Sequence, residues 1–178
     1  PWRKILLKRA GLRFSVKVSN YPEDLKEKLL PSVLVKKLAL GKARIIARKH
    51  SDALVIAADT VAVFRGRVMG KPKNVAEARK MLQTVSGKQH SLVTGSTIID
   101  TSSGRSIAKS VETKVWFRKL TRGEIEAYVG TKEPLTVAGA YAIQGGGASF
   151  ARRIEGDFYN VVGLPLAAVI EALRKFGA

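Results

Sequence analysis

Hydrophobic residues recur along this chain with two periods, and the alternation between them predicts its elements. From Ala53 to Phe64 the run is nearly all apolar, broken only by Asp59 and Thr60, the pattern of a buried strand. Arg65-Gly66 then turns the chain into Arg67-Val68-Met69, which predicts a hairpin. Further strands are expected over Ser91–Ile99 and Ser106–Phe117, joined by the polar turn Asp100–Gly104. Leu12–Val18 alternates as a strand does, and the glycine-interrupted stretch Tyr141–Phe150 reads as extended. Helical spacing predicts a short helix over Arg3–Ala10, stopped by Gly11. A long amphipathic one follows over Ser32–His50, with Pro31 at its start and Val35, Leu38, Ala39 and Ile46 inward. Asn74 with Glu77, and Thr121 with Glu124, are capping-box signals opening two more helices, and Leu164-Pro165 begins a last one reaching Phe176. Asn20–Asp24, containing Pro22, is a loop. With no repeat, linker or compositional break, the 178 residues predict one α/β domain.

Composition narrows the chemistry. The chain has no cysteine, which excludes thiol nucleophiles, disulfides and thiolate metal sites, and His50 and His90 are too far apart for a local metal motif. No apolar run approaches the ~20 residues that span a bilayer and no signal peptide is visible, so a cytoplasmic protein is expected. The formal charge of +18 attracts polyanions. Its cations are dispersed over the polar faces of the expected helices, with no interleaved aromatic residues to act as stacking platforms. A solvated basic surface is therefore favoured over a nucleic-acid groove.

Asp59 interrupts the apolar run, and Lys71 is pinned between Gly70 and Pro72. A carboxylate in a buried strand can hold a hard cation or take a proton from water, and an ammonium on a restricted turn can neutralise phosphate oxygens. Glu23 in the loop is a candidate second acid for a shared divalent cation. Arg3 at the start of the first helix suits a bidentate phosphate contact, and Lys42 lies within the long helix. Each has a plain alternative as a turn cap or a solvated surface charge; the combination favours a metal–phosphate site.

These residues belong to a longer collinear pattern. It comprises Pro1-Trp2-Arg3, Phe14 to Glu23, Lys42-Ala43, Ala58-Asp59-Thr60, Gly70-Lys71-Pro72, Ser86-Gly87 with His90, Ala138 to Gly145, Ile154 to Asp157 and Asn160 to Pro165. Across essentially the whole chain the pattern resembles the Maf nucleotide pyrophosphatases. The resemblance implies an α/β fold with a long curved mixed sheet, flanking helices and two lobes around a central cleft. It implies hydrolysis of a nucleoside triphosphate between the α and β phosphates with Mg²⁺ or Mn²⁺, a homodimer, and a role restraining septum formation. By the same resemblance Asp59 is the proton acceptor, a metal ligand or both, with Glu23 as the second acidic partner. Lys71 joins them in catalysis, and Arg3 and Lys42 line the phosphates.

Trp2, Thr60 and Gln144 match three positions that set base choice. Thr60 and Gln144 match the dTTP/UTP type, where arginine usually stands in place of Trp2; tryptophan there is the mark of a 7-methyl-GTP type. Gln144 offers a donor and an acceptor to a uracil or thymine edge, whereas Trp2 would favour a cationic methylated base. The reading is dTTP/UTP, with 7-methyl-GTP as one alternative and a basic nucleic-acid-binding or cell-division regulatory protein without turnover as another. Val137 stands where a lysine is usual and Pro22 where an acid is common. Family members also carry a strand and a short serine-containing loop before the position of Pro1, a segment expected to contact phosphate.

Overall fold

The computed structural model describes residues 2–178. Five strands form one sheet: β1 (Leu54–Phe64), β2 (Arg67–Met69), β3 (Gln89–Asp100), β4 (Ser106–Phe117) and β5 (Ala151–Glu155), in the order β2-β1-β3-β4-β5. Six α-helices accompany it: α1 (Trp2–Arg9), α2 (Pro31–Ala47), α3 (Val75–Val85), α4 (Arg122–Gly130), α5 (Phe158–Val162) and α6 (Leu166–Arg174). The α/β class holds. All the described strand pairings are antiparallel, where a mixed sheet was expected, because successive strands are joined by hairpins or return from the neighbouring edge.

The register of β1 on β3 pairs Asp59 with Gly95 and Thr60 with Thr94. Successive side chains in a strand point to opposite faces, so Asp59 and Thr60 are presented on opposite sides of the sheet. On the Asp59 side lies α2, which buries Leu34, Val35, Leu38, Ala39 and Ala43; Val35 packs with Val61 and Val93, and Ala43 with Val55 and Ile99. Gly95 sets how close α2 can come. A Cβ there would stand 2.4 Å from the carbonyl carbon and oxygen of Val35.

On the Thr60 side two hydrophobic clusters share the sheet. One joins Leu6 of α1 and Val169, Ala172 and Leu173 of α6 to Ala58 and Ile98. The other joins Leu82 of α3 and Ile125 and Tyr128 of α4 to Ala62, Leu92, Val115 and Phe117. Along β1 the order is Ala58, Thr60, Ala62, and along β3 it is Ile98, Ser96, Thr94, Leu92. The threonine pair therefore marks the seam between the two clusters.

Two stretches differ from the pattern-based reading. Leu12–Val18 forms no strand, and Phe14, Val16 and Val18 are exposed. Alternation specifies a strand only where a ladder partner completes its hydrogen bonds, and the sheet provides none to this segment among the described residues. Tyr141–Phe150 is a series of tight turns ending in a 3₁₀ turn at Ala148–Phe150 rather than extended chain. Its glycines allow close approach: a Cβ at Gly147 would meet the Ala142 carbonyl at 2.9 Å. The short β5 and α5 had no distinct pattern of their own. The Thr121–Glu124 capping box forms in full. At α3 Asn74 accepts from the Glu77 amide, while Glu77 reaches past it to the Lys73 amide. Pro1, the first residue of the resemblance pattern, lies outside the described residues, as does any strand or loop before it.

Two consequences are measurable. Gly95→Ala should destabilise the fold by about 2 kcal/mol or more, since the added methyl meets backbone rather than a side chain that can turn away; urea unfolding checks this. His90 is buried beside Phe117 and Tyr141, with its Nε2 2.8 Å from the Tyr141 hydroxyl. Burial, partly offset by the Lys88 backbone, lowers its pKa from 6.5 to about 4. Between those values the unfolded chain takes up the proton and the folded one does not. Stability should therefore be full above pH 6.5 and fall by on the order of 3 kcal/mol as pH drops towards 4. Unfolding titrations across that range should show a loss that His90→Phe largely removes.

Candidate active site

Lys42 lies two helical turns after Val35, on the face of α2 that packs against β1. Side chains lean towards a helix N-terminus, which carries its ammonium back over Asp59. There Lys42 Nζ pairs with Asp59 Oδ1 and, at 2.6 Å, with Glu23 Oε1. Asp59 is 6% exposed, whereas the Glu23 side chain is 45% exposed, so one carboxylate is fixed in the floor and the other stands at the rim. Burial pushes the Asp59 carboxyl above its ordinary 3.8, and Glu23 adds to the rise. Lys42 and Arg3 oppose the shift without cancelling it.

Glu23 is held by its flanks. Tyr21 lays its ring against Gly41 of α2, where a Cβ would come within 2.3 Å of the ring, and Leu25 seats its methyl on Gly70 at 2.4 Å by the same measure. A glycine inside a helix costs about 1 kcal/mol relative to alanine. At Gly41 it makes the seat that puts the Glu23 loop over Lys42.

Arg3 approaches from α1. Its Nε donates to the Gly163 carbonyl at 2.8 Å and its Nη2 to Thr60 Oγ1 at 3.2 Å. Burial lowers the Arg3 pKa, and the charges of Asp59 and Glu23 work against that shift, so the arginine senses both acids from across the strand. Gly163 supplies its carbonyl from a left-handed conformation (φ 117°) that ends α5.

Glu23, Lys42 and Asp59 are thus joined by ion pairs on one face of the sheet, and Arg3 and Thr60 by a hydrogen bond on the other, with Arg3 near enough to feel the charge of both acids. Among the described residues, Trp2, Lys71 and Gln144 make no hydrogen bond or ion pair with this group. Lys71 is exposed at the end of β2, one residue after the Gly70 that seats Leu25. The Gly70 carbonyl also accepts from the Gly139 amide at 3.1 Å, which ties this turn to the Ala138–Gly145 segment. Gln144 stands on a turn closed by the Gly145 amide and the Ala142 carbonyl. Trp2 is half-buried at the start of α1. The described cavities, of about 270 and 250 Å³, lie beside β5 at Arg152 and Arg153 rather than over Asp59.

Several residues that organise this region carry no local signal in the chain. Glu133 accepts from the Tyr128 hydroxyl at 2.7 Å and the Gly146 amide at 2.9 Å, and Tyr128 in turn accepts from the Ala142 amide, so the pair fixes the turn bearing Gln144. The Gly145-Gly146 pair was the one hint, since a Cβ at Gly145 would stand 2.1 Å from Glu133 Oε1.

Glu23 and Asp59 are hard carboxylates, the donor type that holds divalent cations, and in this structure the Lys42 ammonium pairs with both. Among the described residues no group of three or more His, Cys, Asp and Glu stands together as a metal cage.

Comparison with known proteins places the whole chain in one family. The family model described as "Maf-like protein" matches residues 1–176. A dTTP/UTP pyrophosphatase from Moorella thermoacetica is 48% identical over 177 residues, covering 99% of this chain and 91% of that protein. A dTTP/UTP pyrophosphatase from Bacillus cereus (strain AH820) is 44% identical over 176 residues with the same coverage, as is one from Bacillus anthracis. With a match from end to end and the paired acids, lysine and arginine of the pattern drawn together, the chain belongs to the Maf-like family.

Proposed function

We propose that this protein is a nucleoside triphosphate pyrophosphatase acting on dTTP and UTP, with Asp59 as its proton acceptor. The observation that carries the reading is the Lys42 ammonium bridging a buried Asp59 and a rim Glu23. The names of relatives at 44–48% identity support the same substrate class. Phosphoryl chemistry is largely positioning and charge neutralisation, which suits a site built from two acids and fixed cations.

Arg3 is held along one edge by Gly163 and Thr60, and its remaining N–H groups are free to meet phosphate oxygens. Lys42 neutralises charge on the same group, and Lys71 approaches from the Gly70 turn. Asp59 takes a proton from the attacking water as its oxygen bonds to phosphorus. The α–β anhydride P–O bond breaks, its electron pair staying on the departing oxygen, and nucleoside monophosphate and pyrophosphate result. The raised pKa of Asp59 makes it a stronger base than an exposed aspartate. Mg²⁺ or Mn²⁺ held by Asp59 and Glu23 would supply charge neutralisation on the phosphate oxygens and acidify bound water. Thr60 and Gln144 set the pyrimidine preference, and Trp2 is the one residue that favours 7-methyl-GTP. The family resemblance supports a homodimer and a role in restraining division.

A panel of dTTP, UTP and 7-methyl-GTP with pyrophosphate detection tests this directly: release from the first two is expected, and release of orthophosphate alone would refute it. Asp59→Asn should lower turnover by about 10³-fold. Its melting temperature should hold or rise, because the variant removes a buried charge that folding disfavours and leaves Lys42 paired with Glu23. Circular dichroism and product release on the same samples separate the two effects. In the metal-free protein the Asp59 carboxyl should titrate above its ordinary 3.8, read by carboxyl NMR against Asp59→Asn. The base must be ionised, so activity is present above its pKa and lost as pH falls through it.

A further inference from the structure

A line of hydroxyls crosses the seam between the two hydrophobic clusters. Thr60 Oγ1 is 2.9 Å from Thr94 Oγ1, and Thr94 Oγ1 donates to the Asn160 carbonyl at 3.1 Å. Thr94 and Asn160 are fully buried. A threonine hydroxyl has one proton to give. The Asn160 carbonyl can only accept, so the Thr94 proton is spent there and Thr94 must accept from Thr60. The Thr60 proton goes to Thr94 at 2.9 Å in preference to the more distant Gly163 carbonyl at 3.4 Å, and its oxygen can then only accept, which is what Arg3 Nη2 requires of it. Every link is thus polarised one way, from Arg3 through Thr60 and Thr94 to Asn160.

The far end of this line is anchored. The Asn160 side-chain amide donates to the Leu92 carbonyl and to Thr113 Oγ1, both at 3.0 Å, and Thr113 Oγ1 donates to the Asp157 carbonyl at 3.0 Å. Asp157 caps α5 by accepting from the Tyr159 and Asn160 amides. The helix whose end supplies Gly163, the other support of Arg3, is therefore fixed by the same set of groups.

We propose that Thr94 is a positioning residue for Arg3: by accepting the Thr60 proton it keeps the Thr60 oxygen turned to the guanidinium, leaving the other edge of Arg3 directed at substrate phosphate. Thr60 consequently has no proton to offer a nucleotide base and can meet one only as an acceptor. This rests on the reading of Arg3 as a phosphate ligand, and nothing in it depends on which nucleotide is cleaved.

The test uses pyrophosphate binding by calorimetry, which needs no turnover, together with kcat and KM for dTTP and melting temperature. Thr94→Val keeps the shape and removes the acceptor. It should weaken pyrophosphate binding roughly tenfold, and Thr94→Ser should restore it. In a Thr60→Val background, Thr94→Val should cause much less further loss, because the hydroxyl route to Arg3 is already cut and only the hold on α5 through Asn160 remains. Should Thr94→Val not fold, Thr94→Cys carries the same expectation with a smaller loss. Wild-type binding in the folded Val or Cys variant, failure of the serine to rescue, or losses that multiply in the double variant would overturn the proposal. Pyrophosphate binding that survives Arg3→Ala would overturn it as well. A protein that follows every binding expectation but releases no pyrophosphate from dTTP or UTP would refute the reaction and leave the role of Thr94 standing.

Discussion

A carboxylate in the middle of a hydrophobic sheet face has to be compensated, and the Lys42–Asp59 pair is the constraint around which this structure is arranged. Removing Lys42 would leave the Asp59 carboxylate buried without solvent or counter-charge, a loss that typically costs about 3–5 kcal/mol, whereas removing Asp59 leaves Lys42 paired with Glu23 at the rim. The pair exists only if α2 lies close over β1 and β3, which requires a position without a side chain at Gly95. It also requires an opening at the rim, where Glu23 meets the same ammonium and solvent begins. The floor is dry enough to raise the Asp59 pKa, while at the rim the Glu23 side chain is half-exposed.

The opposite face meets a related problem with hydroxyls in place of charges. Two apolar clusters abut there, and a polar line of Thr60, Thr94 and Asn160 runs between them, each hydroxyl satisfied by its neighbour. A buried polar group left without a partner costs about 1–3 kcal/mol; the two threonine hydroxyls escape that cost, while the Asn160 side-chain oxygen has no hydrogen-bond partner among the described residues. The commitment of each hydroxyl proton makes the line directional, and Arg3 sits at the end where a donor is wanted. The two faces meet at adjacent residues of β1: Asp59 serves one and Thr60 the other.

The net charge of +18 places several cations over aromatic rings, while Phe14, Phe158 and Tyr159 are exposed with no cation over them among the described residues. Aromatic residues do meet cations in space, contrary to the impression of their spacing in the chain. Arg65 and Lys88 lie over Phe64, Arg153 over Trp116, Arg118 over Phe150 and Arg105 over Phe176. Those rings are engaged by the protein's own side chains, whereas a stacking platform for nucleobases needs free ones. No described helix is long and apolar enough to cross a membrane.

The chain by itself determined what local physics controls. The buried strand at β1, the hairpin at Arg65-Gly66, the capped starts of α3 and α4 and the amphipathic α2 follow from period, turn chemistry and caps, which act over a few residues. Asp59 and Lys71 stood out because a charge in an apolar run and a lysine between glycine and proline are locally improbable. Tertiary structure decided the rest, since the forces involved act between residues distant in sequence. Leu12–Val18 has the pattern of a strand but no ladder partner. Thr94 is one polar residue in an otherwise ordinary strand until Asn160, 66 positions later, accepts its proton. Glu133 resembles any surface acid until two glycines let it close on the Gln144 turn. Which residues are neighbours across the seam depends on the register of β1 with β3. A one-residue slip would send every side chain to the wrong face, and only the packing of both faces together fixes that register.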